Sequence, residues 1–301
     1  MKIAYLVLAH KNPALIQKQI KFLSSEDSAF FIHIDAKSEI DEFFSCNGRN
    51  VFFSTERLPV YWGEYSMINA IVLLMRQALE ATQNYDYYIL LSGSDYPLKS
   101  KQYIHSFFEQ NKGSEFISLV KIPSKGAGIP LTKITNLRIP INRPFYRFII
   151  RVWAKLGFAQ RDYKKHLETL NPYGGVTWFA LTKDACQYIL EFMERHEPIC
   201  QFFKGTFAPD ETLFHTILGN SIFEPHIRPC VMYDDWTTSV PNSGHPAEIG
   251  EEQLRFFEAS EKVIIDDVFG PGEMLFARKF SDENLNLVDR LETIIKQKKL
   301  L

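Results

Sequence analysis

Apolar strand segments that alternate with helical segments constrain the fold of this chain more than any other feature of its sequence. The predicted strands in the first third are residues 3–9, 30–34, 51–53 and 87–91. Asn12 is expected to cap a helix that begins at Pro13 and ends near Ser24, and apolar residues recur at helical spacing over residues 67–79. This alternation predicts an α/β fold with a mostly parallel central sheet flanked by helices.

The second half of the chain carries weaker signals of the same kind. Residues 174–181 are predicted to form a strand, Thr182 to cap a helix that ends near Arg195, and residues 209–218 to form another helix. A loop-rich tail and a polar final helix follow. Because no internal repeat or low-complexity linker separates the halves, we expect residues 1–301 to form a single domain in which both halves share one sheet.

Charge is balanced over the whole chain but not along it. The sequence has 34 Lys and Arg residues against 36 Asp and Glu residues, which argues against a protein that binds nucleic acid through its overall charge. Residues 121–165 nevertheless carry eleven bases and one acid. On a helix, the cations at positions 143, 147, 151 and 155 would form one stripe. Two interpretations stay open: a solvated helix face, or a peripheral contact of residues 143–165 with anionic lipids.

Cysteine usage and hydropathy indicate the compartment. Four cysteines lie far apart and form no CxxC pair, at positions 46, 186, 200 and 230, so we expect reduced thiols in the core rather than disulfides or a structural zinc site. The apolar N-terminal run stops at His10 without a cleavage-type boundary, and no run reaches the length of a membrane span. We expect a cytoplasmic protein, or one peripheral to the inner face of a membrane.

Polar residues follow three predicted strands, at the edge where open α/β sheets bind ligands. They are His10, Asp35 and the predicted turn at residues 92–97. Neither GxGxxG nor GxxxxGK[ST] occurs, which disfavours a Rossmann dehydrogenase and a P-loop enzyme. Ser94 and Asp95 resemble half of the metal-binding DxD signature, but Gly93 replaces its first acid. The spacing of His10, His33 and Asp35 also fits no metal motif, so we expect no metal site.

Two adjacent carboxylates and two adjacent cations in the second half suggest chemistry. Asp210 and Glu211 lie at a predicted helix start, where the helix dipole favours negative charge. Capping alone would explain them, and so would a general base that stays ionised near neutral pH. Arg278 and Lys279 are either a solvated pair or a pair that neutralises a diphosphate leaving group.

Seven motifs together resemble a known family. They are LAHKNP (8–13), FFIHID (30–35), WGEYSM (62–67), LLSGSDYPLKS (90–100), GGVTWFALT (174–182), APDETLFHTIL (208–218) and LFARKF (275–280). In this order they resemble the core-2/I-branching β-1,6-N-acetylglucosaminyltransferase family, glycosyltransferase family 14, which also contains the peptide O-xylosyltransferases. The resemblance spans nearly the whole chain, which looks like a compact bacterial-type member.

The resemblance implies a GT-A-like (Rossmann-like) fold, a UDP-sugar donor, inversion at the anomeric carbon, and no cofactor or metal ion. It implies a nucleotide-binding half over residues 1–120 and an acceptor half with the catalytic base over residues 121–301. It puts that base on Glu211 and the diphosphate contacts on Arg278 and Lys279. Further donor-binding candidates are His10, Ile34, Asp35, Arg57 and Asp95.

The expected acceptor is an oligosaccharide or a lipid-linked glycan used in surface-polysaccharide synthesis. The candidate acceptor-binding residues are Thr177, Trp178, Asp210 and Trp236. Thr177 stands where xylosyltransferase-like members carry Asp, so the transferred sugar stays open, with GlcNAc and xylose as the leading candidates. The two tryptophans would stack on sugar faces or fill the core. The alternative function is a non-catalytic nucleotide-sugar or glycan-binding module.

Overall fold

A central sheet of seven strands organises the protein, of which the computed structural model describes residues 1–138, 160–237, 239 and 245–299. The strands are β1 (Ile3–Ala9), β2 (Ser28–Ile34), β3 (Val51–Phe53), β4 (Tyr87–Ser92), β5 (Asp95–Pro97), β6 (Glu115–Ile117), β7 (Val120–Lys121), β8 (Tyr173–Gly174), β9 (Phe179–Thr182), β10 (Ile227–Arg228), β11 (Met232–Asp234), β12 (Ile264–Asp267), β13 (Gly270–Glu273) and β14 (Phe276–Arg278). The helices are α1 (Pro13–Leu23), α2 (Ser66–Leu79), α3 (Lys101–Gln110), α4 (Thr132–Thr135), α5 (Tyr163–Leu167), α6 (Lys183–Arg195), α7 (Glu197–Lys204), α8 (Leu213–Gly219), α9 (Glu251–Ala259) and α10 (Leu285–Lys299).

The order of the central sheet is β10-β6-β9-β4-β1-β2-β3. Its strands pair in parallel except β9, which runs antiparallel to both β4 and β6. Strands β9 and β10 come from the second half of the chain, so both halves contribute to one sheet, as expected. The predicted fold class, a mostly parallel sheet flanked by helices in the GT-A-like manner, is confirmed.

Two apolar layers cover the faces of the central sheet, because successive side chains of a strand point to opposite sides. On β1, Ala4 and Leu6 belong to a cluster that includes residues of α2 and α6. Tyr5 and Val7 belong to a second cluster, with residues of α1, α3 and β14. Continuous apolar strands such as β1 are the pattern expected when both faces are buried.

The two strand and helix predictions of the second half are only partly right. Residues 174–181 divide into the end of β8 and the beginning of β9, and residues 209–218 divide into a short 3-10 turn (Pro209–Glu211) followed by α8. The two interruptions meet, because the backbone N–H of Gly175 donates to the carbonyl of Glu211 at 3.1 Å. This tertiary contact replaces regular pairing in both segments.

Asn12 has the predicted position at the start of α1, but the prediction that its side chain caps the helix is wrong. Asn12 precedes the helix with φ 62°, and its side chain makes no capping hydrogen bond. Asp282, which follows β14, accepts hydrogen bonds from the backbone N–H groups of Ala14 at 3.2 Å and Leu15 at 2.8 Å. The unpaired N–H groups of the first turn are therefore satisfied by a residue far away in sequence. Thr182 does cap α6, by accepting from the N–H of Ala185 at 3.3 Å.

Several other expectations can be compared with the described residues. All four cysteines are buried thiols without disulfides, as expected. The proposed cationic stripe at positions 143, 147, 151 and 155 lies outside the described residues. Within the part of the chain that the structure covers, no helix is both long and apolar enough to cross a membrane.

A buried ion pair joins the tail of the chain to the first half. The segment at residues 92–97 is not only a turn, because β5 pairs with β14 and puts Asp95 opposite Arg278. Asp95 is fully buried and accepts from the N–H of Ser92 at 2.6 Å and from its Oγ at 2.8 Å. The Nε of Arg278 lies 3.7 Å from Asp95 Oδ1. Burial raises the pKa of Asp95, and the positive charge of Arg278 opposes that shift.

The variant Asp95→Asn should lower the free energy of unfolding by about 3 kcal/mol, because it removes the main countercharge of the buried guanidinium. Urea denaturation measures the loss, and Asp27→Asn, at an exposed carboxylate, serves as the matched control. The double variant Asp95→Asn/Arg278→Met should regain much of the loss. Wild-type stability of the single variant, or no recovery in the double variant, would contradict this account.

Candidate active site

The carboxyl ends of β1, β2 and β4 meet at one edge of the sheet, because these strands are parallel neighbours. Asn12 connects the segments that leave this edge. Its Nδ2 donates to Ser94 Oγ at 2.9 Å, to the carbonyl of Gly93 at 3.2 Å and to that of Phe280 at 3.4 Å. The sequence marked Asn12 only as a cap, and nothing local distinguishes these distant partners.

Residues Ile34 and Asp35 at the end of β2 are buried and firmly held. Asp35 accepts from the N–H and the Nζ of Lys37 at 2.9 and 2.6 Å. Arg57 donates to the carbonyls of Ile34 and Asp35 at 3.2 and 2.8 Å, so its guanidinium fastens its own loop to the end of the strand. His10 is exposed at the same edge, within electrostatic range of both Asp35 and Lys279.

Arg278 and Lys279 concentrate positive charge beside these strand ends. The Arg278 guanidinium carbon lies 3.8 Å from the ring centroid of Trp178, so the cation stacks on the indole. Burial, and then the charges of Arg278 and Lys11, lower the pKa of Lys279 to about 8. Depression of a lysine pKa by neighbouring cations marks a region of positive potential, and such a region favours an anionic ligand.

Asp210 and Glu211 have different environments although they are adjacent. Asp210 is buried, and its Oδ2 accepts from Thr177 Oγ1 at 2.7 Å, while its Oδ1 has no hydrogen-bond partner among the described residues. Burial and the charge of Glu211 raise the pKa of Asp210 to about 6, against the effect of the Thr177 hydrogen bond. Glu211 keeps 36% of its side chain exposed, so it is the carboxylate that a large substrate can reach.

Lys133 is a site residue that the sequence did not indicate. It lies in α4, its side chain is only 11% exposed, and its Nζ pairs with the Glu211 carboxylate. Its charge also lowers the pKa of Asp210. A neighbouring cation favours the ionised form of a carboxyl group, here that of Asp210. In the sequence, Lys133 was only one of the eleven Lys and Arg residues within residues 121–165. That excess of cations predicted a basic surface and did not indicate that one of them pairs with an acid.

Thr177 and Trp178 link the acids to the cations. The Thr177 hydroxyl binds Asp210, and the indole of the next residue, Trp178, lies against Arg278. The two groups of charged residues therefore flank one dipeptide.

Trp236 follows β11 of the three-stranded sheet and keeps 54% of its surface exposed. Its Nε1 donates to Asp234 Oδ2 at 3.0 Å, and Asp234 is close enough to Arg278 for their charges to interact. Trp236 thus has an open ring surface, whereas Trp178 is partly buried beneath the guanidinium. The sequence predicted the same two possible roles for both tryptophans, but only Trp236 has a largely exposed ring in the structure.

The carboxylates of the described residues do not gather into a metal site. Within residues 1–138, 160–237, 239 and 245–299, no group of three or more His, Cys, Asp or Glu side chains could hold an ion. Asp95, the remaining acid of the DxD-like turn, is engaged with Ser92 and Arg278. The expectation that the reaction needs no metal stays a prediction.

Comparison with known proteins connects this geometry to a family. The sequence matches rat Xylosyltransferase 2 at 25% identity over 232 residues, which is 73% of this chain and 25% of the rat protein. It matches human Xylosyltransferase 2 at 26% identity over 233 residues, 74% of this chain and 25% of the human protein. The Xylosyltransferase oxt of Drosophila melanogaster is 24% identical over 238 residues, 75% of this chain and 24% of the fly protein.

This chain therefore spans about a quarter of the length of these relatives. The profile of the family described as Core-2/I-Branching enzyme matches this chain from residue 3 to residue 257. That match includes six of the seven motifs and both acids, and ends before Arg278. The chain belongs to the Core-2/I-Branching enzyme family of glycosyltransferases.

Proposed function

We propose that the protein transfers a sugar from a UDP-sugar to a hydroxyl group of a glycan acceptor, with inversion at the anomeric carbon. The observation that carries this proposal is the dipeptide Thr177–Trp178, which places the acids on one side and the buried cation on the other. A transferase of this kind needs a base for the acceptor and positive charge for the leaving diphosphate. Both groups lie at the same edge of the sheet.

The reaction proceeds by a single displacement. The Glu211 carboxylate accepts the proton of the acceptor hydroxyl while that oxygen attacks the anomeric carbon. The bond from this carbon to the diphosphate oxygen breaks, and its electron pair stays on the departing UDP. Arg278 and Lys279 stabilise the charge that develops there, and a single contact of this type can contribute roughly 3 kcal/mol to the transition state. An α-linked donor then gives a β-linked product.

Lys133 has one consequence for the proposed base. Its pairing with Glu211 holds the carboxylate in one place, so the proton acceptor is already positioned when the acceptor hydroxyl arrives. Lys133 is accordingly a positioning residue, because its ammonium group acts on the acceptor only through the carboxylate that it holds.

UDP-xylose and UDP-GlcNAc are the donors that we propose. The names of the relatives favour xylose, and the description of the family as a branching enzyme agrees with the resemblance to N-acetylglucosaminyltransferases. We propose an oligosaccharide or lipid-linked glycan as the acceptor, in surface-polysaccharide synthesis at the inner face of a membrane. The excess of cations within residues 121–165 supports a location beside anionic lipid.

The variant Glu211→Gln should reduce transfer by roughly a hundredfold or more, because it removes the general base. It should leave the affinity for UDP nearly unchanged, since the cations rather than the acids contact the nucleotide. Product formation with UDP-xylose or UDP-GlcNAc measures the first effect, and calorimetric titration with UDP measures the second.

Asp210→Asn is the matched control for this experiment, because it changes the adjacent carboxylate in the same way. Asp210 is buried and held by Thr177, so its variant should retain more activity than Glu211→Gln. If Glu211→Gln retains activity within tenfold of wild type while Asp210→Asn loses it, the base is Asp210. If the wild-type protein binds UDP but turns over neither donor with any glycan acceptor, the chain is a binding module rather than an enzyme.

UDP affinity should fall as pH rises above about 8, because Lys279 then loses its proton. The pKa of this lysine is already lowered in the free protein, so above that pH Lys279 must take up a proton when UDP binds. Each further pH unit should therefore weaken the affinity for UDP by up to about tenfold. Lys279→Arg should bind UDP with little change over the same range, because arginine stays charged. An equal loss of affinity in wild type and Lys279→Arg would contradict the role of Lys279.

A further inference from the structure

Trp62 is a large exposed aromatic residue to which none of the roles above applies. It belongs to the loop before α2, and 57% of its surface is exposed. An exposed indole is costly to hydrate, and exposed apolar surface often marks a place where something binds. Exposure alone does not identify a ligand, so the surroundings of the ring decide what Trp62 does.

One side of the Trp62 ring packs against the ring of Phe207. Its centroid lies 5.2 Å from that of Phe207, and the two planes meet at 68°, an edge-on arrangement. Gly63 makes this packing possible, because it adopts φ +70° and a Cβ at this position would lie 2.6 Å from a ring atom of Phe207. The indole is therefore held against a second ring while more than half of it remains open.

The support of Trp62 is continuous with the segment that carries the proposed base. The N–H of Ala208 donates to the carbonyl of Gly63 at 3.0 Å, and the N–H of Glu211 donates to the carbonyl of Ala208 at 3.1 Å. Lys133, which pairs with Glu211, has its Nζ 5.7 Å from the centre of the Phe207 ring. Phe207 is thus shared between the open indole and the cation that holds the base.

This placement associates Trp62 with the acids rather than with Arg278 and Lys279. We propose that the Trp62 indole stacks on the apolar C–H face of a sugar ring in the acceptor glycan. A rigid indole offers a flat apolar surface to such a ring. The proposal deepens the function given above and rests on it for the identity of the acceptor as a glycan.

Saturation-transfer NMR with methyl β-galactoside, methyl β-glucoside and methyl β-xyloside tests this proposal without knowledge of the natural acceptor. At least one glycoside should give a signal with the wild-type protein, and Trp62→Ala should weaken it by about fivefold or more, the effect of roughly 1 kcal/mol. Trp62→Phe should restore part of the signal. Phe44→Ala, which removes another exposed aromatic ring, 61% exposed, should leave it unchanged.

A second measurement uses protein labelled with 5-fluorotryptophan, and it does not depend on the folding of Trp62→Ala. The ¹⁹F resonance of Trp62, identified by its loss in Trp62→Phe, should shift with the glycosides and not with UDP alone. No shift with any of the glycosides, a shift with UDP alone, or equal saturation transfer in Trp62→Ala would overturn the proposal. Thermal stabilisation by UDP is recorded separately. If UDP does not stabilise the protein, the proposed donor is wrong; if UDP does but the glycosides give no effect at Trp62, the proposed role of Trp62 is wrong.

Discussion

The buried pairing of Arg278 with Asp95 is the constraint on which the arrangement of the site depends. It joins β14, from the tail of the chain, to the segment that follows β4. Burying an ion pair contributes little net stability, since the desolvation of both groups offsets their attraction. Its value here is positional, because it holds a cation beside Trp178 and next to the crevice. Asp95, predicted as a donor-binding residue, has its structural contacts with Ser92 and Arg278 rather than with open surface.

Two glycines allow the acids to lie beside this cation. A Cβ on Gly175 would lie 1.8 Å from the carbonyl oxygen of Ser118, and one on Gly174 would lie 3.1 Å from that of Glu211. At Gly175 the backbone therefore passes closer to its neighbour than any residue with a side chain permits, whereas a side chain at Gly174 would require its neighbours to shift slightly. This approach brings Thr177 to the acids and the following indole to the guanidinium. The GG of the GGVTWFALT motif is thus explained by packing, and the TW that follows by contacts within the site.

Sequence patterns predicted the elements whose formation depends on local apolar content, and missed those decided by distant partners. The strands at residues 3–9 and 87–91 are continuous apolar runs, so burial on both faces could be expected from composition. The interruption at residues 209–218 depends on a hydrogen bond to Gly175, which no local pattern encodes. The sequence shows that Lys133 is a cation, but it does not show that Glu211 is its partner. Charge along a sequence shows how many cations are present, whereas the fold determines which acid each one meets.

In the proposed mechanism, Arg278 and Lys279 offset the charge of the leaving diphosphate without a metal ion. The rate of UDP formation from UDP-xylose or UDP-GlcNAc, with a glycan acceptor and in excess EDTA, tests this mechanism. Turnover should be the same with and without the chelator, and Arg278→Ala should lose most of it under both conditions. Turnover that EDTA abolishes and manganese restores would contradict this mechanism, and would make Asp95 a candidate metal ligand.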